Sequence, residues 1–230
     1  QMARGPALEK SNEVKMMKRV AIAVGLAAGL VFAPLDRGAA APEAPVIVAF
    51  GDSLVAGLGL PQDEAFPAQL EAALKARGLA ARVVNAGVSG DTAAAALARL
   101  DWALPDDASA VIVELGANDA LQGLPPEGTK AALTAIIEKL QTRGLPILLA
   151  GTEAPRNLGK DYVEAFRAMY EDLAARYGLI LYPFFLDGAA LNDGLMQADG
   201  LHPNAKGVAA IVENILPKVE ALLAQVNKKE

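Results

Sequence analysis

One histidine, His202, occurs among the 230 residues of this chain, and Asp199 lies three positions upstream of it. A carboxylate on the same turn can accept the Nδ1 proton of an imidazole, fix its tautomer and stabilise the imidazolium. Nε2 is then free to take a proton from a hydroxyl. An unperturbed imidazole titrates near ~6.5, so it can act as base and then as acid close to neutral pH. The hydroxyl that suits this base is Ser53, in Gly51-Asp52-Ser53-Leu54 at the end of an apolar run. A serine at a strand-to-helix turn is exposed and close to helix N-terminal amides, which favours a nucleophile whose attack builds negative charge. Taken alone, Ser53 or Asp52 reads as a helix cap, and a lone histidine reads as structural. Together the three residues point to nucleophilic acyl transfer. The nucleophile-elbow pattern Gly-x-Ser-x-Gly is not matched, because position 55 is valine.

Attack on an ester carbonyl creates an alkoxide that needs preorganised donors, and losing one typically costs about 100- to 1000-fold. Gly90, in Ser89-Gly90-Asp91-Thr92, offers a backbone N–H with no side chain in the way. Asn118, in Gly116-Ala117-Asn118-Asp119, offers an amide NH2, and the backbone N–H of Ser53 is a third donor. Separately, Gly90 reads as a turn glycine and Asn118 as an Asx-turn. Beside Ser53 and His202 the two form an oxyanion-hole set.

Elements must bring these scattered groups together. From Pro45 onward, short apolar runs rich in β-branched residues alternate with longer helical stretches. The spacing predicts strands over Val46–Phe50, Arg82–Asn85, Ala110–Leu115, Pro146–Ala150 and Leu179–Tyr182. Helices are expected near Glu64–Arg77, Thr92–Trp102, Gly128–Arg143, Tyr162–Tyr177 and Ala205–Gln225. Apolar strands separated by helices imply a parallel sheet in a three-layer α/β/α domain. Ligands of such sheets bind beyond the carboxyl ends of the strands. The segments around Ser53, Gly90 and Asn118 follow the first three strands, and Asp199–His202 follows the fifth.

These motifs, in this order, resemble the conserved blocks of the GDSL/SGNH hydrolases. Gly51-Asp52-Ser53-Leu54 resembles the first block, Ser89-Gly90-Asp91-Thr92 the second, Gly116-Ala117-Asn118-Asp119 the third, and Asp199-Gly200-Leu201-His202-Pro203 the fifth. Within the family the chain is most similar to the bacterial periplasmic thioesterase I and arylesterase group, through Leu115–Asp119 and Glu153–Leu173. The resemblance implies a flavodoxin-like fold with five parallel strands, a Ser53-His202-Asp199 triad, an oxyanion hole of Ser53, Gly90 and Asn118, and no metal or organic cofactor. It implies hydrolysis of aryl and acyl esters, acyl thioesters and lysophospholipids through a covalent acyl-enzyme. In the family the loop after the third block lines the acyl site. Here it reads Ala120-Leu121-Gln122-Gly123-Leu124-Pro125-Pro126, apolar and stiffened by two prolines. Leu121, Leu124 and Pro155 are the expected substrate-binding residues, although both leucines also read as packing for their own loop.

The remaining features bound the reading. A formal net charge of −6 argues against nucleic acid as a partner. Absence of cysteine excludes disulfides, zinc-thiolate sites and a cysteine nucleophile. Met16-Met17-Lys18-Arg19, the apolar run to Ala33 and the small residues up to Ala41 have the form of a secretory signal peptide. The expected organisation is an upstream extension over residues 1–15, a signal peptide over 16–41 and one hydrolase domain over 42–230. The mature protein is then expected in the periplasm, as a monomer or weak oligomer without stable membrane insertion. An uncleaved anchor or first helix is the alternative for residues 16–41. A carbohydrate acetylesterase on the same fold and an inactive binding module are the alternatives for function. A nucleotide-binding protein fits poorly, since Gly57-Leu58-Gly59 lacks the third glycine of the dinucleotide fingerprint.

Overall fold

The computed structural model describes residues 44–228. Its frame is a sheet of five parallel strands in the order β2-β1-β3-β4-β5. The strands are β1 (Val46–Gly51), β2 (Arg82–Gly87), β3 (Ala108–Glu114), β4 (Ile147–Ala150) and β5 (Ile180–Tyr182). The helices are α1 (Ser53–Ala56), α2 (Phe66–Ala76), α3 (Ala93–Ala103), α4 (Ala117–Leu121), α5 (Pro126–Thr142), α6 (Lys160–Tyr177) and α7 (Ala205–Val226). All five expected strands and five long helices are present, and this strand order is the flavodoxin-like one.

The two-residue period of a strand divides the core into two. Ile47 and Ala49 of β1, Ala110 and Ile112 of β3, and Leu148 and Ala150 of β4 face one cluster. Phe66, Leu70 and Leu74 of α2 pack there with Val208, Ile211, Ile215 and Val219 of α7. The residues between them, including Val48, Phe50, Val111, Val113 and Leu149, face a second cluster. It is built from Ala96 and Leu100 of α3, Leu133 and Ile136 of α5, and Phe166 and Leu173 of α6. Sheet strands covered on both faces can be apolar throughout, and β1 is buried at all six positions.

Two details differ from expectation. Pro125 and Pro126 do not stiffen a free loop: Pro125 is the N-cap of α5 and Pro126 its first residue, where a missing N–H costs nothing. The short helices α1 and α4 fall in stretches read as turns, and they carry Ser53 and Asn118. Residues 1–43, which include the expected signal peptide, lie outside the described residues. Among the described residues no helix is long and apolar enough to cross a membrane.

Candidate active site

Ser53 is set by the abrupt passage from β1 into α1. A Cβ on Gly51 would stand 2.5 Å from Val55 Cγ2 and 2.6 Å from the Glu114 carbonyl oxygen, so the turn excludes any side chain there. Asp52 then caps α1, its Oδ1 accepting the Leu54 N–H at 3.0 Å. Ser53 becomes the first residue of the helix, where N–H groups lack intrahelical acceptors. It is nearly buried but opens to the rim of the sheet.

His202 arrives from the opposite end of the chain on a pinned loop. Met196 and Pro203 form a bridge, the Gln197 N–H donates to the His202 carbonyl at 2.8 Å, and the Asn204 N–H donates to the Leu195 carbonyl at 2.8 Å. Within that loop Asp199 Oδ1 accepts the N–H groups of Leu201 at 2.9 Å and His202 at 3.0 Å. Its Oδ2 lies 2.6 Å from His202 Nδ1. The imidazole hydrogen bond first, then the two N–H groups, hold the Asp199 carboxyl down at about 2. An ionised acceptor at that distance keeps the proton on Nδ1, so Nε2 is the lone-pair nitrogen, and it lies 2.9 Å from Ser53 Oγ. The hydroxyl therefore donates to the imidazole, the geometry in which a serine loses its proton as it attacks.

Asn118, on α4, bridges neighbouring loops instead of capping its own. Its Nδ2 donates to Asp52 Oδ2 at 3.1 Å and to the Asp91 carbonyl at 2.9 Å. Asp91 is in turn held by Arg99 of α3, which also donates to the carbonyls of Ala86 at 3.0 Å and Gly51 at 2.9 Å and lies over the Phe50 ring. Asp119 completes the brace, with Oδ2 accepting the Ala93 N–H at 2.9 Å and Oδ1 the Thr129 hydroxyl at 2.9 Å. The carboxyl ends of β1, β2 and β3 are thus tied by buried polar side chains, and such networks rigidify when fully satisfied. Gly90 sits in the exposed turn of the second block at φ +87°, with open space where a Cβ would be.

A cavity of about 310 Å³ opens at Ser53, Asn118 and His202, and its walls include Leu121, Pro155, Leu186, Leu201, Thr152 and Glu153. Leu121 and Pro155, two of the three expected substrate-binding residues, are thus among the residues lining this cavity. Leu124 and Gly90 are not among the residues lining this cavity. Leu124 is partly exposed, and its carbonyl accepts the Tyr162 hydroxyl at 2.6 Å. Behind Ser53 lie two residues to which the sequence motifs assign no chemistry, Asp52 of the first block and Glu114 of the third strand. Asp52 and Glu114 are both fully buried carboxyl groups. Burial, only partly offset by the Leu54 N–H, pushes Asp52 up to about 6. Burial and then the Asp52 charge push Glu114 well above the ordinary carboxylate range. A signal was available: Glu114 interrupts the apolar run Ala110 to Leu115, and a carboxylate inside a buried strand calls for a reason. Among the described residues no group of three or more His, Cys, Asp or Glu side chains could hold a metal ion.

Residues 49–210 match the model of the GDSL-like Lipase/Acylhydrolase family. The chain is 40% identical over 181 residues to the esterase TesA of Pseudomonas aeruginosa (strain PAO1), covering 78% of this chain and 90% of that protein. It is 35% identical over 184 residues to thioesterase 1/protease 1/lysophospholipase L1 of Escherichia coli K12, covering 80% and 87%. Among solved structures, the SGNH-hydrolase family esterase AlinE4 is similar with a TM-score of 0.67 and 47% identity, covering 80% of this chain and 98% of that one.

Proposed function

The chain belongs to the GDSL-like lipase/acylhydrolase family and is a carboxylic ester hydrolase, and from that premise we propose that Ser53, His202 and Asp199 are its catalytic triad. The contact that carries this reading is the chain Ser53 Oγ to His202 Nε2 at 2.9 Å and His202 Nδ1 to Asp199 at 2.6 Å. His202 takes the Ser53 proton as Oγ bonds to the substrate carbonyl carbon. The carbonyl oxygen becomes an oxyanion, received by the N–H groups of Ser53 and Gly90 and by the Asn118 amide N–H that turns to it from the Asp91 carbonyl. Collapse breaks the bond to the leaving alcohol or thiol, which departs with the proton from His202. Water, deprotonated by His202, then attacks acyl-Ser53 and releases the acid, and the proton returns to Ser53. Asp199 stays ionised throughout and stabilises the imidazolium.

The substrates are aryl and acyl esters, with acyl thioesters and lysophospholipids as a second class. Leu121, Leu186, Leu201 and Pro155 make much of the cavity wall apolar, which supports an acyl or aryl group over a sugar. The esterase and thioesterase/lysophospholipase names of the relatives support the same range. Residues 16–41 act as a signal peptide, and the protein works in the periplasm, as a monomer or weak oligomer with no cofactor. The test is hydrolysis of p-nitrophenyl esters from acetate to palmitate, with Ser53→Ala in parallel. Turnover by the wild type that is lost in the variant supports the serine mechanism. A folded wild type no more active than Ser53→Ala on every ester would sink it.

A further inference from the structure

Glu114 has no exposed surface, and among the described residues no group other than Asp52 lies within hydrogen-bonding reach of its carboxyl oxygens. It ends β3 on the face shared by Ala110 and Ile112 and reaches in behind the Ser53 turn: its Oε2 lies 2.9 Å from where a Gly51 Cβ would be. An ionised carboxylate so placed is expensive, since burial is tolerated only with hydrogen-bonding or paired partners. A neutral acid there needs only one acceptor for its O–H. The adjacent carboxyl group is Asp52, within side-chain hydrogen-bonding reach of Glu114. Asp52 already accepts the Leu54 N–H through Oδ1 and the Asn118 amide through Oδ2. Two carboxyl groups in contact in a dry site cannot both ionise, and one proton shared between them satisfies both.

We propose that Glu114 is a positioning residue: as a neutral acid it donates its proton to the Asp52 carboxylate, and so keeps Asp52 ionised and holding Asn118 in place for the oxyanion. The inference rests on Asn118 as an oxyanion donor, and Glu114 acts only through Asp52 and Asn118. The other groups bearing on the pair are His202, which favours the charged form of Asp52, and Asp119, which disfavours it. Tyr170 also bears on it, but its hydroxyl is committed to the Leu115 carbonyl at 2.8 Å. Without a donor at position 114, Asp52 loses a hydrogen bond made to its charged form and takes up a proton at higher pH. A protonated Asp52 no longer accepts strongly from Asn118, and the donor set loosens.

Two variants and one spectrum test this. Glu114→Gln keeps the shape and one N–H donor toward Asp52, whereas Glu114→Leu keeps only bulk. On a p-nitrophenyl ester, Glu114→Leu should lose about 10- to 100-fold in kcat with KM within about twofold, part of the loss of one oxyanion donor. Its acid limb should move to higher pH. Glu114→Gln should recover most of the kcat and the wild-type pH profile. A folded Glu114→Leu with wild-type kcat and pH profile, or a Gln variant no better than Leu, would overturn the proposal. Because Glu114→Leu could unfold, infrared spectra decide independently of catalysis. Wild type at pH 8 should show the carbonyl band of a protonated carboxylic acid that Glu114→Gln lacks. Absence of that band, or its survival in Glu114→Gln, would refute the neutral acid even where ester turnover by wild type upholds the triad.

Discussion

At the residue scale, the triad was legible because its chemistry rests on rare residue types. A chain with one histidine leaves little choice of base, and Asp199 three positions away supplies an obvious partner. The structure brings the two within 2.6 Å and sets the free imidazole nitrogen against Ser53. Arg99 and Glu114 were not legible in the same way. A helical arginine usually reads as a solvated face, and only the fold shows this one reaching Gly51, Ala86 and Asp91 at once. The three side chains of the proposed triad should not weigh equally. Nucleophile and base act as a unit, so Ser53→Ala or His202→Ala should each cost at least about 10,000-fold in kcat, while the acid partner contributes less. Asp199→Ala should cost about tenfold less than Ser53→Ala, measured as kcat on p-nitrophenyl butyrate. Equal losses would contradict this ranking. With its carboxyl held at about 2, Asp199 stays ionised across the working range. An acid limb above pH 4 in kcat/KM must then come from another group, and should persist in Asp199→Asn.

At the level of elements, long helices and buried strands were readable because several turns or a run of apolar residues repeat the signal. Four- and five-residue helices offer no period, which is why α1 and α4 passed as turns although they carry Ser53 and Asn118. The loop bearing Asp199 and His202 was recognisable by its residues, but not by what holds it. Asn204 does that twice. Its Oδ1 caps α7 by accepting the N–H groups of Lys206 at 3.0 Å and Gly207 at 3.1 Å. Its Nδ2 donates back to the carbonyls of Gly194 at 3.0 Å and Met196 at 3.3 Å. Asn204→Ala should therefore lower stability by about 1–2 kcal/mol through the lost cap alone. Because the loop carries His202, kcat should fall as well, by about tenfold. Asn204→Asp keeps the cap but cannot donate to the two carbonyls, so it should recover stability and leave kcat low. Denaturant titration and ester kinetics on both variants separate the two functions. Recovery of full kcat in Asn204→Asp would show that the loop needs only the cap.

Across the whole molecule, the buried carboxyl groups set stability against activity as pH rises. Folding raises Asp52 from 3.8 to about 6 and moves Glu114 well above 4.5, in both cases chiefly because burial disfavours the charge. The unfolded chain therefore releases these protons at lower pH than the folded one. From about pH 4 upward the folded state binds more protons than the unfolded state, and linkage makes stability fall as pH increases. Asp199 acts with the opposite sign. Its carboxyl is lowered from 3.8 to about 2, so its contribution is complete above the unfolded value and is lost as pH drops toward 2. Stability should then be greatest in mildly acid solution, between about pH 4 and 5, and decline toward pH 8. Ester hydrolysis runs the other way, because the base must be neutral to take the Ser53 proton. Such opposition is a recurrent cost of building a site from strained or buried polar groups. Thermal melts from pH 3 to pH 8 test this directly: Tm should fall between pH 5 and pH 8, and the slope should be shallower in Glu114→Gln, which has one fewer carboxyl to titrate. A Tm that rises from pH 5 to pH 7 would mean that Glu114 as well as Asp52 is ionised in the folded protein at neutral pH, and that donors other than those described hold the second charge.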